Sequence, residues 1–260
     1  MSERLSPRPV QKGTDAAKLH KWAMIFLAAG VLGRAILQNA LLGYNSLTSE
    51  ELLAAVDAIP GGMVFLSGAL VCQLAQTCAA PLLAFLLVEG YQRTGSFEKY
   101  LFRAVGLAVI TELPYNLAIS GSLLHLGTRN PAFSLVIGLV MLHFFNRFPE
   151  KGIRNTLVKL VIFVAAFLWC QMLRIDHGAC FIIFVGALWR ARNRSNLRSL
   201  YGFCGAMVCV LFDPYYIGSC LACILFHRYN EEKGEQNRAF NYAFYPAMLL
   251  IVGILAKFLG

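Results

Sequence analysis

The residues of this chain specify an all-α membrane protein, a polytopic bundle of about nine transmembrane helices with its N-terminus cytoplasmic, and three observations carry that reading. Only 14% of residues are charged and 58% are apolar, for a mean hydropathy of +0.60, against about 25% charged in an average soluble domain. Apolar runs of the length needed to cross roughly 30 Å of hydrocarbon recur along the whole chain. These runs are continuous, without the alternation of period two that marks an outer-membrane barrel strand. Too few charges remain to cover a water-facing globule of 260 residues, and the same apolar content excludes disorder.

Residues 1–21 are polar and basic, with no apolar stretch ahead of a cleavage site, and predict a cytoplasmic tail leading into an uncleaved first span. Residues 22–260 predict a single transmembrane domain. Its apolar runs lie near 22–41, 62–89, 98–118, 132–146, 154–173, 177–191, 198–212, 214–227 and 239–259. The fourth, sixth, seventh and eighth are short for a full crossing, which leaves eight or nine spans.

Orientation follows from the Lys and Arg residues. Arg4, Arg8, Lys12, Lys18 and Lys21 precede the first run, and the others cluster between alternate runs, at 93–103, 147–159, 190–198 and 228–238. Nineteen of 23 fall on the side of the N-terminal tail, leaving Arg34, Arg129, Arg174 and Lys257 elsewhere. That asymmetry puts the N-terminus inside and supports nine spans. The net charge of +9 is thereby a topology signal rather than a sign of nucleic-acid binding.

Between the first two runs, Thr48 or Ser49 is placed to cap a helix with Glu50 and Glu51 in its first turn. This segment is either a short amphipathic helix at the outer interface or a solvated connection. Pro81 predicts a kink in the second run and frees a carbonyl near Thr77; Gln73, Gln76 and Thr77 form a polar stripe just before it. Cys220 and Cys223 make a C-x-x-C, but within a small-residue helical run that suits close helix packing better than metal or redox chemistry. No metal spacing appears elsewhere in the chain.

Ionisable groups at membrane depth cost at least about 2.5–3.5 kcal/mol each and are functional candidates for that reason. Arg34 lies within the first run, Glu89 ends the second, and Glu112 precedes Leu113 and Pro114, in the last helical turn before an expected break. Glu112 needs a partner, and Arg34 is the Arg at comparable depth; such a pair serves either packing or a site. Glu89 is within reach of Arg93 or Arg103. Asp176 and Asp213, the latter followed by Pro214, read as N-caps. His143 reads as a packing histidine, whereas His177, partly solvated and beside Asp176, is the better candidate base.

The strings PLLAFLLVEGYQRTGSFEKYLFRAVGLAVITELPYNLA (81–118), RNPAFSLVIGLVM (129–141), IDHG (175–178) and RYNEEKGEQNRAFNYAFYPAMLLI (228–251) together resemble the TraX family of bacterial inner-membrane proteins. The resemblance runs over most of residues 81–259. It implies a multi-pass protein of the cytoplasmic membrane, similar to membrane-bound acyltransferases, whose named member is associated with N-terminal acetylation of conjugative pilin. On that reading acetyl-CoA is the co-substrate and no metal is needed. The acceptor is an amine or hydroxyl on a peptide, glycan or small molecule.

Residues on the family's pattern include Glu89, Tyr100, Arg103, Glu112, Asn130, Tyr229, Tyr245 and Pro246. The implied roles are proton transfer for Glu112, His177 and Glu89, and donor binding for Arg103, Arg34, Asn130 and Tyr229. Two histidines of the pattern are replaced here, by Gly33 and Arg34 at the end of the first run and by Ala247 and Met248 after Pro246. The alternatives are a non-catalytic relative that binds a partner, lipid or small molecule, and a small-solute permease. The permease ranks last because the chain lacks the internal repeat expected of a transporter.

Overall fold

A computed structural model describes residues 13–44, 47–150, 152–235 and 238–259. Arg4, Arg8, Lys12 and Lys151, with the side chains of Glu50 and Arg238, lie outside the described residues. Each predicted apolar run is a helical rod. The first joins α1 (Ala16–Leu32) to a π-helical stretch, Gly33–Leu41. α2 (Ser49–Ala58) is the short helix of the connection that follows. Thr48 caps it with a full capping box: its hydroxyl accepts from the Glu51 amide while the Glu51 carboxylate accepts from the Thr48 amide.

The second rod breaks at Cys78 into α3 (Gly62–Thr77) and α4 (Ala79–Arg93). The break falls three residues before Pro81, close to where the missing N–H predicts it. The Thr77 hydroxyl lies there, 2.8 Å from the Leu74 carbonyl and 3.0 Å from that of Tyr215. α5 (Phe97–Ser120) runs through Pro114 and ends at Gly121, whose φ of 68° suits glycine. The helical break expected after Glu112 is therefore absent: a proline lacks one donor, but packing of α5 along α11 (Arg238–Leu259) carries the helix on.

α6 (Ala132–Asn146), α7 (Ile153–Met172), α8 (Gly178–Arg190) and α9 (Arg198–Val210) follow. α10 (Ser219–Leu225) is entered through a 3-10 turn that Asp213 caps as predicted, accepting from the Tyr215 amide at 3.0 Å. Among the described residues there are no strands, only isolated bridges such as Thr14 to Tyr229 and Arg129 to Ile175.

Four helical stretches are long and apolar enough to cross a membrane: Ala16–Leu41, Gly62–Arg93, Ile153–Met172 and Phe240–Leu259. Val64, Phe102, Val161 and Leu211 are exposed on the outside, a surface suited to lipid chains rather than water. Inside, one buried cluster joins α4, α6 and α8, and a second joins α1, α5 and α11. Gly30 and Gly33 let α1 approach α3 so closely that an added Cβ would collide with Gln76 and Cys72 respectively.

The two ends of the bundle differ chemically. At one, Phe97 stacks on His143 at 4.1 Å, Tyr91 meets Trp189, and Arg198 pairs with Glu231 at 3.0 Å. These contacts gather the basic connections 93–103, 147–159, 190–198 and 228–233 at a single basic end. At the far end, the connections 121–131 and 173–177 are bonded together, Arg129 N–H to the Arg174 carbonyl and Asp176 N–H to the Arg129 carbonyl, both at 2.9 Å.

Candidate functional site

A cavity of about 540 Å³ follows the bundle from its basic end toward the far end. α4 provides its longest wall. Ala79, Ala80, Leu83, Leu86, Leu87, Gly90 and Thr94 recur every three or four residues and so share one face, over about 22 Å of helix at 1.5 Å per residue. Gly90 keeps that wall open, since a Cβ there would come within 2.9 Å of the Tyr100 hydroxyl oxygen. His20, Met24 and Leu27 of α1 form the opposite side, with Tyr100, Arg103 and Leu107 of α5.

The basic-end mouth is polar. Glu89, Arg93, Arg103, Lys233 and Asn241 line it. Arg93 donates to the Glu89 carboxylate, to the Tyr229 hydroxyl at 3.4 Å and to the Glu231 carbonyl at 2.8 Å. The Tyr229 hydroxyl also donates to Glu89 at 3.2 Å. Burial against the Phe85 ring, followed by the Glu89 charge, pushes the Tyr229 phenol up to about 12, so it stays a hydrogen-bond donor. The middle of the cavity is apolar, and its far end is lined by Pro131, Ser134, Gln76, Thr77, His177, Tyr216 and Tyr245.

His177 is placed there by an unusual backbone. It has φ 55°, in the left-handed region that non-glycine residues seldom occupy. The turn that imposes this conformation is tied to Arg129 by the two bonds described above. Tyr216 meets the His177 ring edge-on at 5.7 Å, and Nε2 is 3.9 Å from the Asp176 carboxylate.

Asp176 does not cap α8: the N-cap is His177, without a side-chain bond. Its carboxylate instead accepts from the Arg34 guanidinium and the Tyr115 hydroxyl, each at 2.6 Å. Arg34 thus pairs with Asp176 and not with Glu112. Glu112 pairs with Arg129 at 3.2 Å and accepts from the Asn130 amide at 3.2 Å. The reason is positional: the connection 129–131 reaches Glu112 from its own helix hairpin, while the turn at 176 reaches across to the π-helical stretch that continues α1.

Of the predicted site residues, Glu89, Arg103 and His177 line the cavity. Asn130 and Tyr229 stand directly behind lining residues, bonded to Tyr245 and Glu89 respectively, whereas Arg34 and Glu112 stand further back, bonded to Asp176 and to Arg129 and Asn130. Asn130 is fully buried, bonded to Thr111 through its amide nitrogen and accepting from Tyr245 OH at 3.3 Å and the Ala132 amide at 3.0 Å. Arg34 supports Asp176, next to His177. Arg93, expected within reach of Glu89, pairs with it; His20 and Tyr216 were not among the predicted site residues. The signal for His20 was its register with Ala16, Met24 and Leu27; nothing local marked Tyr216, which reaches the cavity only through the packing of the 3-10 turn.

A helical protein of membrane character, with an elongated cavity that is polar at one mouth and holds a histidine toward its far end, is the class these features define. A family model described as TraX protein matches residues 52–256, and the chain belongs to the TraX family. No curated protein and no solved structure matches the chain.

Proposed function

We propose that this chain is a membrane acyltransferase of the cytoplasmic membrane, moving an acetyl group from acetyl-CoA to an amine or hydroxyl acceptor. The observation that carries the reading is that Arg103 and His177 line one continuous cavity from opposite ends. The basic end faces the cytosol, as positive charge does in inner membranes, with the chain crossing nine times in one domain. Arg103, Arg93 and Lys233 hold the anionic phosphates of the donor. Met24, Leu83, Leu86 and Leu107 enclose its apolar arm, so that the thioester lies toward His177.

His177 accepts the acceptor's proton while the acceptor nitrogen or oxygen bonds the acyl carbon. The carbon–sulfur bond breaks as that bond completes, and His177 returns the proton to the departing thiolate. Asp176, held by Arg34 and Tyr115, orients the imidazole. Glu112 acts at one remove, by fixing the connection that carries Asn130 and Pro131. The acceptor is a peptide, glycan or small molecule that reaches His177.

The test uses protein in detergent with acetyl-labelled acetyl-CoA, scored for binding and for hydrolysis or transfer. Arg103→Ala weakens binding and His177→Gln binds without turnover if the proposal holds. Absence of binding at millimolar donor overturns it.

A further inference from the structure

A second site lies outside the cavity, where α7 and α8 meet at the basic end. Gly186 lets the Phe163 ring lie against α8, an added Cβ coming within 2.9 Å of it. The two helices are antiparallel neighbours joined by the turn 173–177. One turn back along α7 is Lys159, and one turn on along α8 is Arg190, so the two sit at the same level. Arg192 follows just past the end of α8. Its guanidinium lies 3.9 Å over the Trp189 ring and donates to the Trp189 carbonyl at 3.0 Å, a geometry that holds the charge in place. Lys159 feels both guanidinium charges.

Three cations thus share one corner. Among the described residues none of the three has a carboxylate within 4 Å, and two acids of this end are paired elsewhere, Glu89 with Arg93 and Glu231 with Arg198. Residues 147–198 contain nine Lys and Arg but only two acids, Glu150 and Asp176, and Asp176 is at the far end. Like charges held together repel, and an anion relieves that repulsion. Lys159 is about 9 Å inside α7, and the same helix exposes Leu160, Val161, Val164 and Leu168. A ligand here must therefore combine negative charge with apolar chains.

We propose that Lys159, Arg190 and Arg192 bind the phosphate headgroup of an anionic phospholipid, whose acyl chains lie along the exposed face of α7. The site is separate from the cavity and independent of acyl transfer. Basic residues between helices at the cytoplasmic level are suited to such headgroups.

The experiment is native mass spectrometry of the full chain released from bilayer discs of phosphatidylcholine with and without phosphatidylglycerol. Retention of one phosphatidylglycerol in preference to phosphatidylcholine is expected. The triple variant Lys159→Gln, Arg190→Gln, Arg192→Gln reduces its affinity on the order of 100-fold, at about fivefold per cation. Single Arg190→Gln, at an exposed position, gives the fivefold loss and decides the matter should the triple variant not fold. Lys18→Gln with Lys21→Gln, at the same end on α1, leaves retention unchanged. Equal retention of the two lipids, or an equal loss in the α1 control, overturns the proposal. So does displacement of the lipid by millimolar inorganic phosphate alone, which would make this a free-phosphate site.

Discussion

Arg34 and Asp176, 142 residues apart in sequence, meet at 2.6 Å one residue before His177. The Tyr115 hydroxyl closes the same carboxylate at the same distance. Arg34→Met leaves Asp176 with a hydroxyl but no guanidinium. The pair is partly exposed, 32% for Arg34 and 16% for Asp176, so the expected loss is about 2 kcal/mol rather than the roughly 3–5 of a fully buried pair. Adding Asp176→Asn recovers part of it, a coupling that a double-mutant cycle of thermal unfolding in detergent reads directly.

The same contact sets an acid limit. Burial pushes the Asp176 carboxyl up, but the His177 and Arg34 charges and the Tyr115 hydrogen bond outweigh it, holding the group below its ordinary value of 3.8. A carboxyl depressed by folding contributes stability above its unfolded pKa and loses it as pH falls through the folded one. Wild-type stability therefore drops as pH falls below about 4. Asp176→Asn flattens that limb, and parallel denaturation curves of the two proteins check it.

Helices were legible because lipid-length apolar runs and caps such as Thr48 and Asp213 are local signals. The break at Cys78 was legible to within three residues, since the missing N–H of Pro81 acts locally too. The ion pairs were not. Asp176 resembles any helix-capping aspartate until Arg34 arrives from the first rod, and no periodicity encodes that meeting. Glu89 was found because a charge at membrane depth is conspicuous, and Arg103 because it lies in a basic connection on the family's pattern. Tyr216 was not, because an aromatic residue in an apolar run carries no such mark.

Close approach of α1 and α3 makes Gly33 sensitive to added volume. A Cβ there collides with that of Cys72, so Gly33→Ala forces the helices apart at a cost of about 1–3 kcal/mol. Cys72→Gly in the same chain relieves the collision and restores the thermal midpoint in part; no rescue would show that Gly33 matters for another reason.

Arg93 joins the cavity mouth to the segment 229–235, which also bonds the start of α1 through the Ala16 amide and the Glu232 carbonyl at 2.9 Å. Arg93→Ala removes charge-assisted bonds of roughly 1.5–3 kcal/mol each. Hydrogen exchange at the Ala16 and Asn230 amides should quicken roughly 10- to 100-fold, with α7 unaffected. Unchanged exchange would mean that the backbone bonds alone hold the segment.

Glu112 and His177 test the division between fixing the site and reacting in it. The Glu112 carboxylate meets Arg129, a residue 39% exposed, and such pairs contribute no more than about 1 kcal/mol. Glu112→Gln keeps an acceptor for the Asn130 amide, so the connection 129–131 stays placed and turnover stays within about threefold of wild type. His177→Gln keeps the turn and much of the side chain's shape but holds no proton, and kcat falls roughly 100- to 10,000-fold with donor affinity unchanged. If Glu112→Gln instead lost kcat on that scale, with donor affinity and thermal midpoint intact, the carboxylate itself would be handling the proton. Measuring kcat and donor Kd for both variants separates the two roles, because a residue that only positions the wall moves both quantities slightly, whereas the base moves one of them greatly.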